Sequence, residues 1–176
     1  MATSLCMRCV DVNLLVCAHR QESPRHDAYL GWLEAARVGD EVLGISSLVL
    51  SGFLRVVTHP RVFREPTPLP EAAAFVDAIR SAPSAIGVAP GARHWGIFSR
   101  LCEAVGAKGN GIPDAYLAAL AIEHAATWCT ADRGFARFPV CGWCIRSTDR
   151  RKAGYVGAAV GYDEDRAVVV NGSSPA

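Results

Sequence analysis

No apolar run in this 176-residue chain approaches the ~18 residues that a bilayer-spanning helix needs. The opening stretch, MATSLCMRCVDV, lacks a charged region followed by a long apolar segment and a cleavage site. A cytoplasmic protein without membrane attachment is therefore expected. Charge of one sign is also missing: 18 Lys and Arg against 17 Asp and Glu leave a net charge of +1. That balance, with 51% hydrophobic residues, describes a globular chain. It excludes neither RNA nor protein partners, because a local basic face can sit inside a neutral total. No internal repeat and no linker interrupts the pattern. One domain over 1–149 is expected, with residues 150–176, rich in Gly and ending in Ser and Pro, as an extension. The histidines His59, His94 and His124 share no metal-ligand spacing.

Cysteine, by contrast, is plentiful and odd in number, at seven. Cys6/Cys9 and Cys141/Cys144 each have the spacing Cys-x-x-Cys, and two such pairs can make a four-thiolate zinc site. Yet MRCVDVNLLV begins as a strand, where residues three apart face opposite ways, and more than 130 residues separate the pairs. Small buried thiols in a reducing compartment fit better.

Short β-rich runs alternate with longer helical stretches. Strands are expected at 7–11, in EVLGIS, in SAIGVA, in TWCTAD and in GWCIRS. Between them come helices: Val12 to His19; a segment capped by Ser23 with Ala28, Leu30, Trp32, Leu33 and Ala36 mostly on one face and Gly39 as its stop; and SSLVLSGFLRVVTH, ended by Pro60. EAAAFVDAIRSA and GARHWGIFSRLCEAVG follow. DAYLAALAIEHA is apolar almost all round, which marks a buried central helix, and RGFARFP is a short one. Regular alternation of this kind means an α/β fold whose mainly parallel central sheet is covered on both faces.

Three acids stand out against this frame. Asp11 ends the first strand, Asp132 ends the fourth, and Asp114 opens the central helix. In an open α/β sheet, strand carboxyl ends and helix N-termini form the binding edge, so three segments deliver a carboxylate to one place. Each Asp alone also serves as a helix cap, favoured by about 0.3–1 kcal/mol. Together they repel unless a cation holds them. Oxygen ligands suit Mg²⁺, with Mn²⁺ as the alternative, and an ion so held activates water for phosphodiester hydrolysis.

The stretches VDVNLLV, SSLVLSGFLRVVTHPRVF and GNGIPDAYLAALAIEHAATWCTADRGFARFP, in that order, resemble a PIN-domain ribonuclease of the VapC type, the toxin of a toxin–antitoxin pair. The resemblance covers about residues 7–146. It implies an α/β/α sandwich, Mg²⁺-dependent endoribonuclease activity, a small cognate antitoxin as partner, and a homodimer. By the same resemblance Asp11, Asp114 and Asp132 match the family's metal-site acids. Thr130 matches its Ser/Thr two residues before the last acid, and Asn13 the polar residue after the first.

One position departs from the family. PIN nucleases usually carry a Glu in the helix after the second strand, and LVLSGFLRVV has Gly52 there. The similar Ser-Gly-Phe-Leu-Arg segment of one branch of these toxins shows the same change. Mg²⁺ keeps several waters and needs only one or two carboxylates, so Asp11 and Asp114 suffice in principle, with Asn110 as a neutral candidate. Gly52 also opens an alternative reading, a binding module for nucleic acid or protein with a weak or dead site. A third reading, Asp11 as nucleophile or phospho-acceptor, meets Asn13 where a haloacid-type motif wants a second Asp.

Arg55 is the first candidate for holding RNA phosphates, since it interrupts an apolar helix; His59, Arg61, Arg64, Arg133 and Arg137 stand beside it. KGNG before Asp114 reads either as an amide nest for an anion or as a tight turn. The four tryptophans, Trp32, Trp95, Trp128 and Trp143, are expected in the core. Glu123, at the far end of the central helix, suits a structural or interface role.

Overall fold

The order in which the strands pair fixes where a ligand can sit. The computed structural model describes residues 7–138 and the backbone of 143–144. Five strands, β1 (Met7–Val10), β2 (Val42–Ser46), β3 (Ala85–Val88), β4 (Thr127–Cys129) and β5 (Trp143–Cys144), form one parallel sheet in the order β3-β2-β1-β4-β5. The chain thus steps outward from β1 in one direction and later in the other. Parallel crossovers are right-handed, so the two directions place their helices on opposite faces. An α/β/α sandwich follows, and the order reverses between β1 and β4. A crevice opens at such a switch point, outside the strands' carboxyl ends.

Helices α1 (Val12–His19), α2 (His26–Val38), α3 (Ser47–Val57), α4 (Leu69–Arg80), α5 (His94–Val105) and α6 (Gly111–Glu123) supply the covering layers. Each buries the stripe that its apolar spacing dictates: Val49, Phe53 and Val57 on α3, Ala72, Val76 and Ile79 on α4, Ile97 and Leu101 on α5. A fully buried Leu or Phe of this kind is worth about 1.5–3 kcal/mol. Helix α1 packs on α2 and α3, and α5 on α6. Most of α6 is buried, from Ala115 and again from Leu117 through Ile122, as its all-round apolar sequence requires.

Several boundaries differ from the sequence expectation. Strand β1 stops at Val10, where Asp11 turns its side chain to cap α1, and β4 stops at Cys129, beyond which the Thr130 hydroxyl bonds Asp11 and the Asp132 amide. Ser23 does not cap α2. The N-cap is Arg25, with φ 65° and no side-chain bond, while the Ser23 carbonyl accepts from His26 N in the turn across Pro24. The buried stripe of α2 is Tyr29, Trp32 and Leu33, and Ala28 faces outward. Helix α6 starts at Gly111, so Asp114 lies in its first turn and is not its cap. Trp32 and Trp128 are in the core as expected, but Trp95 on α5 is 72% exposed. The side chain of Trp143 lies outside the described residues, as do Cys6, Cys141 and the extension 150–176.

Candidate active site

Register brings the first and last acids together. Val10 pairs with Cys129, so Asp11 and Thr130 each stand one residue beyond adjacent strand ends, and Asp11 N donates to Cys129 O at 3.0 Å. The Asp11 side chain then serves two masters. Its Oδ1 accepts from Val12 N at 2.7 Å, capping α1, and its Oδ2 accepts from Thr130 Oγ1. Thr130 is fully buried, and the same Oγ1 accepts from Asp132 N at 2.9 Å. One hydroxyl therefore fixes the carboxylate of Asp11 and the backbone of Asp132. Asp132 in turn caps the 3₁₀ turn Arg133–Arg137 through Gly134 N, at 2.7 Å from Oδ1. Asp114 approaches from the first turn of α6 and pairs with Arg137, Nη2 to Oδ2 at 2.8 Å.

Asp11 and Asp132 are thus both helix-capping residues and candidate site acids. The charges of the three acids act on one another. Burial pushes the Asp11 carboxyl up to about 6; the Thr130 and Val12 hydrogen bonds pull it down, and the charges of Asp114 and Asp132 push it further up. Asp114 is likewise raised, by burial first, with Arg137 opposing and Asp132 adding to the rise. Among the described residues no three acids, histidines or cysteines already stand at metal-binding separation. Asp11 and Asp132 are held by the turns they cap, and Asp114 by Arg137. The donor set fits a hard divalent cation, all oxygen and mutually repelling.

Other candidates fall differently. Asn13 is exposed on the first turn of α1, without a hydrogen bond to the three acids among the described residues. Arg55 is exposed on the last turn of α3 and pairs with no site acid among the described residues. Arg61, Arg64 and Arg133 are exposed. At Gly52 a Cβ would stand 2.9 Å from Val12 Cγ2, so α1 fills the place where the family's Glu would begin. Asn110 precedes α6 without a side-chain cap bond. KGNG makes a turn: Gly109 has φ 52°, Gly111 N donates to Lys108 O, and Ile112 N to Gly109 O, which engages those two amides. Cys9 is a buried core thiol, pushed up to about 12 by burial. Glu123 is structural, accepting from Gly91 N and Arg93 N at 2.8 and 2.9 Å. The Arg137–Asp114 pair was not foreseeable as a contact. The sequence offers only an Arg five residues after a site acid.

A parallel sheet whose order reverses between β1 and β4, with Asp11, Asp114 and Asp132 supplied by three separate segments, makes this an α/β protein of the open-sheet kind. Residues 8–140 match the PIN domain, and the chain belongs to that family. It is 53% identical over 137 residues to Ribonuclease VapC43 of Mycobacterium tuberculosis, covering 78% of this chain and 93% of that one. To Ribonuclease VapC25 of the same organism it is 39% identical over 129 residues, covering 73% and 91%. Among solved structures, VapBC2 of Rickettsia felis bound to a fragment of promoter DNA superposes with TM-score 0.55 at 24% identity, covering 76% of this chain and 93% of that one. That likeness shows the fold.

Proposed function

We propose that this protein is a divalent-metal-dependent endoribonuclease acting as the toxin of a toxin–antitoxin pair in the cytoplasm. The observation that carries the reading is the Thr130 hydroxyl, which joins Asp11 to the backbone of Asp132 at the switch point while Asp114 repels both. Its ribonuclease-named relatives support the same reading. Asp11, Asp114 and Asp132 would hold the ion, Mg²⁺ with Mn²⁺ as the alternative. When bound, such an ion activates water and steadies the charge that develops on the phosphate. The protein's own part is positional. Val12 N and Thr130 aim Asp11, Asp132 is fixed by the turn it caps, and α6 presents Asp114 with its N-terminal dipole. Asn13, exposed in the first turn of α1, would serve as an auxiliary, and Arg55 on α3 would offer a cation to RNA phosphates.

A small antitoxin and a second copy of this chain are the partners this reading expects, with residues 1–149 as the nuclease unit. No helix among the described residues is long and apolar enough to cross a membrane. The alternative of a catalytically dead binding module, raised by Gly52, is not favoured, since relatives matched over nine-tenths of their length carry ribonuclease names. Magnesium-dependent cleavage of RNA by the purified protein, lost in Asp11→Ala, is the expected result. Binding of RNA without cleavage at any divalent ion concentration would overturn it.

A further inference from the structure

Arg137 belongs to the cluster of acids although it carries the opposite charge. Its side chain leaves the last residue of the 3₁₀ turn, whose Gly134 amide Asp132 caps, and reaches across to Asp114. One short segment therefore ties two of the three acids. The guanidinium lies in a defined slot. A Cβ at Gly111 would stand 3.3 Å from Nη2 and 3.8 Å from Cζ, so the missing side chain of Gly111 leaves room for it. On the other side Cζ is 4.9 Å from the centroid of the buried Phe138 ring, within cation–π range. The pair with Asp114 is part-exposed, at 43% and 30% for the two side chains. Ion pairs of that exposure are weak and easily exchanged.

A divalent cation and this guanidinium need the same carboxylate. We propose that Arg137 is a gate on the metal site: it competes with a divalent cation for the Asp114 carboxylate and, once displaced, binds the RNA phosphate beside it. The inference rests on the three acids forming a metal site. Two features make the exchange chemically reasonable. The slot formed by Gly111 and Phe138 keeps the guanidinium at the site after it leaves Asp114, and its planar fork matches a phosphate as well as a carboxylate. The device also limits repulsion among Asp11, Asp114 and Asp132 when no cation is bound.

Mn²⁺ titration of the intact protein, read by electron paramagnetic resonance, tests the gate directly. Arg137→Gln removes the competing charge without touching a proposed ligand, and Mn²⁺ should bind about three- to tenfold tighter than to the wild type. A 2′-O-methyl oligoribonucleotide, which resists cleavage, should bind the Mn²⁺-loaded variant about three- to tenfold more weakly, with the salt slope reduced by about 1. Arg137→Lys, which keeps the charge but not the fork, should restore the wild-type Mn²⁺ affinity more fully than the RNA affinity. Equal or weaker Mn²⁺ binding in Arg137→Gln overturns the gate, and unchanged RNA binding overturns the transfer to phosphate. If the wild type itself binds no Mn²⁺, the metal-site reading fails and the gate with it.

Discussion

Thr130 is the residue on which the site's geometry turns. Its hydroxyl donates to Asp11 and accepts from Asp132 N, and no water can substitute easily at a fully buried position. Thr130→Val keeps the shape and deletes the hydroxyl, leaving a buried carboxylate oxygen and an amide short of a partner. The expected cost is about 1–3 kcal/mol of stability, read by denaturant unfolding, together with weaker divalent-ion binding. Thr130→Ser, which retains the hydroxyl, should recover most of the ion binding. Gly52 makes a second residue-scale test. A side chain there meets Val12 Cγ2 at 2.9 Å, against the first turn of the helix that Asp11 caps. Gly52→Glu should therefore fail to raise activity and should destabilise by about 1–3 kcal/mol through overpacking. Enhanced cleavage by that variant would mean that α1 yields and that the missing carboxylate was the limit.

At the scale of elements, helix stripes were legible because burial follows apolar spacing, as α3 and α6 show. Caps were less so. Ser23 is a residue of the right type that the chain bypasses, because Pro24 and Arg25 make the turn and His26 Nδ1 bonds Cys17 O. Trp95 was misplaced because aromatic content says nothing about which side of α5 meets its neighbour. The Pro-rich segment after α3 hides another unreadable contact. His19 Nε2 lies 3.3 Å from the buried Thr67 hydroxyl, and its ring packs against Phe53 and Phe75. Burial lowers the His19 pKa below its ordinary 6.5; Glu71 opposes this and Arg20 adds to it. The folded protein thus binds fewer protons at this residue than the unfolded chain. Its contribution to stability is full above about pH 6.5 and is lost as pH falls through that value towards the depressed folded one. His19→Gln should show a shallower loss of thermal stability between pH 7 and 5.5 than the wild type. An identical pH dependence would remove His19 as a source.

For the whole molecule, the α/β alternation announced a parallel sheet, and the order of its strands decided where function could lie. The sequence could place Asp11 and Asp132 just after strands, but only the pairing of Val10 with Cys129 makes those strand ends neighbours. Likewise Asp114 was recognisable as a first-turn acid, whereas its pairing with Arg137 depends on how the 3₁₀ turn folds back over α6. Long-range contacts of this kind carry no local spacing to read. Conversely, the expectation that each acid finishes its own helix holds for Asp11 and Asp132, which do cap, and not for Asp114. Anomalous diffraction from crystals of the protein soaked in Mn²⁺ is the most direct measurement. One Mn²⁺ ligated by carboxylate oxygens of Asp11 and Asp114, with Asp132 in direct or water-mediated contact, is the expected result. Saturating Mn²⁺ that leaves this crevice empty, with Arg137 still on Asp114, would contradict it.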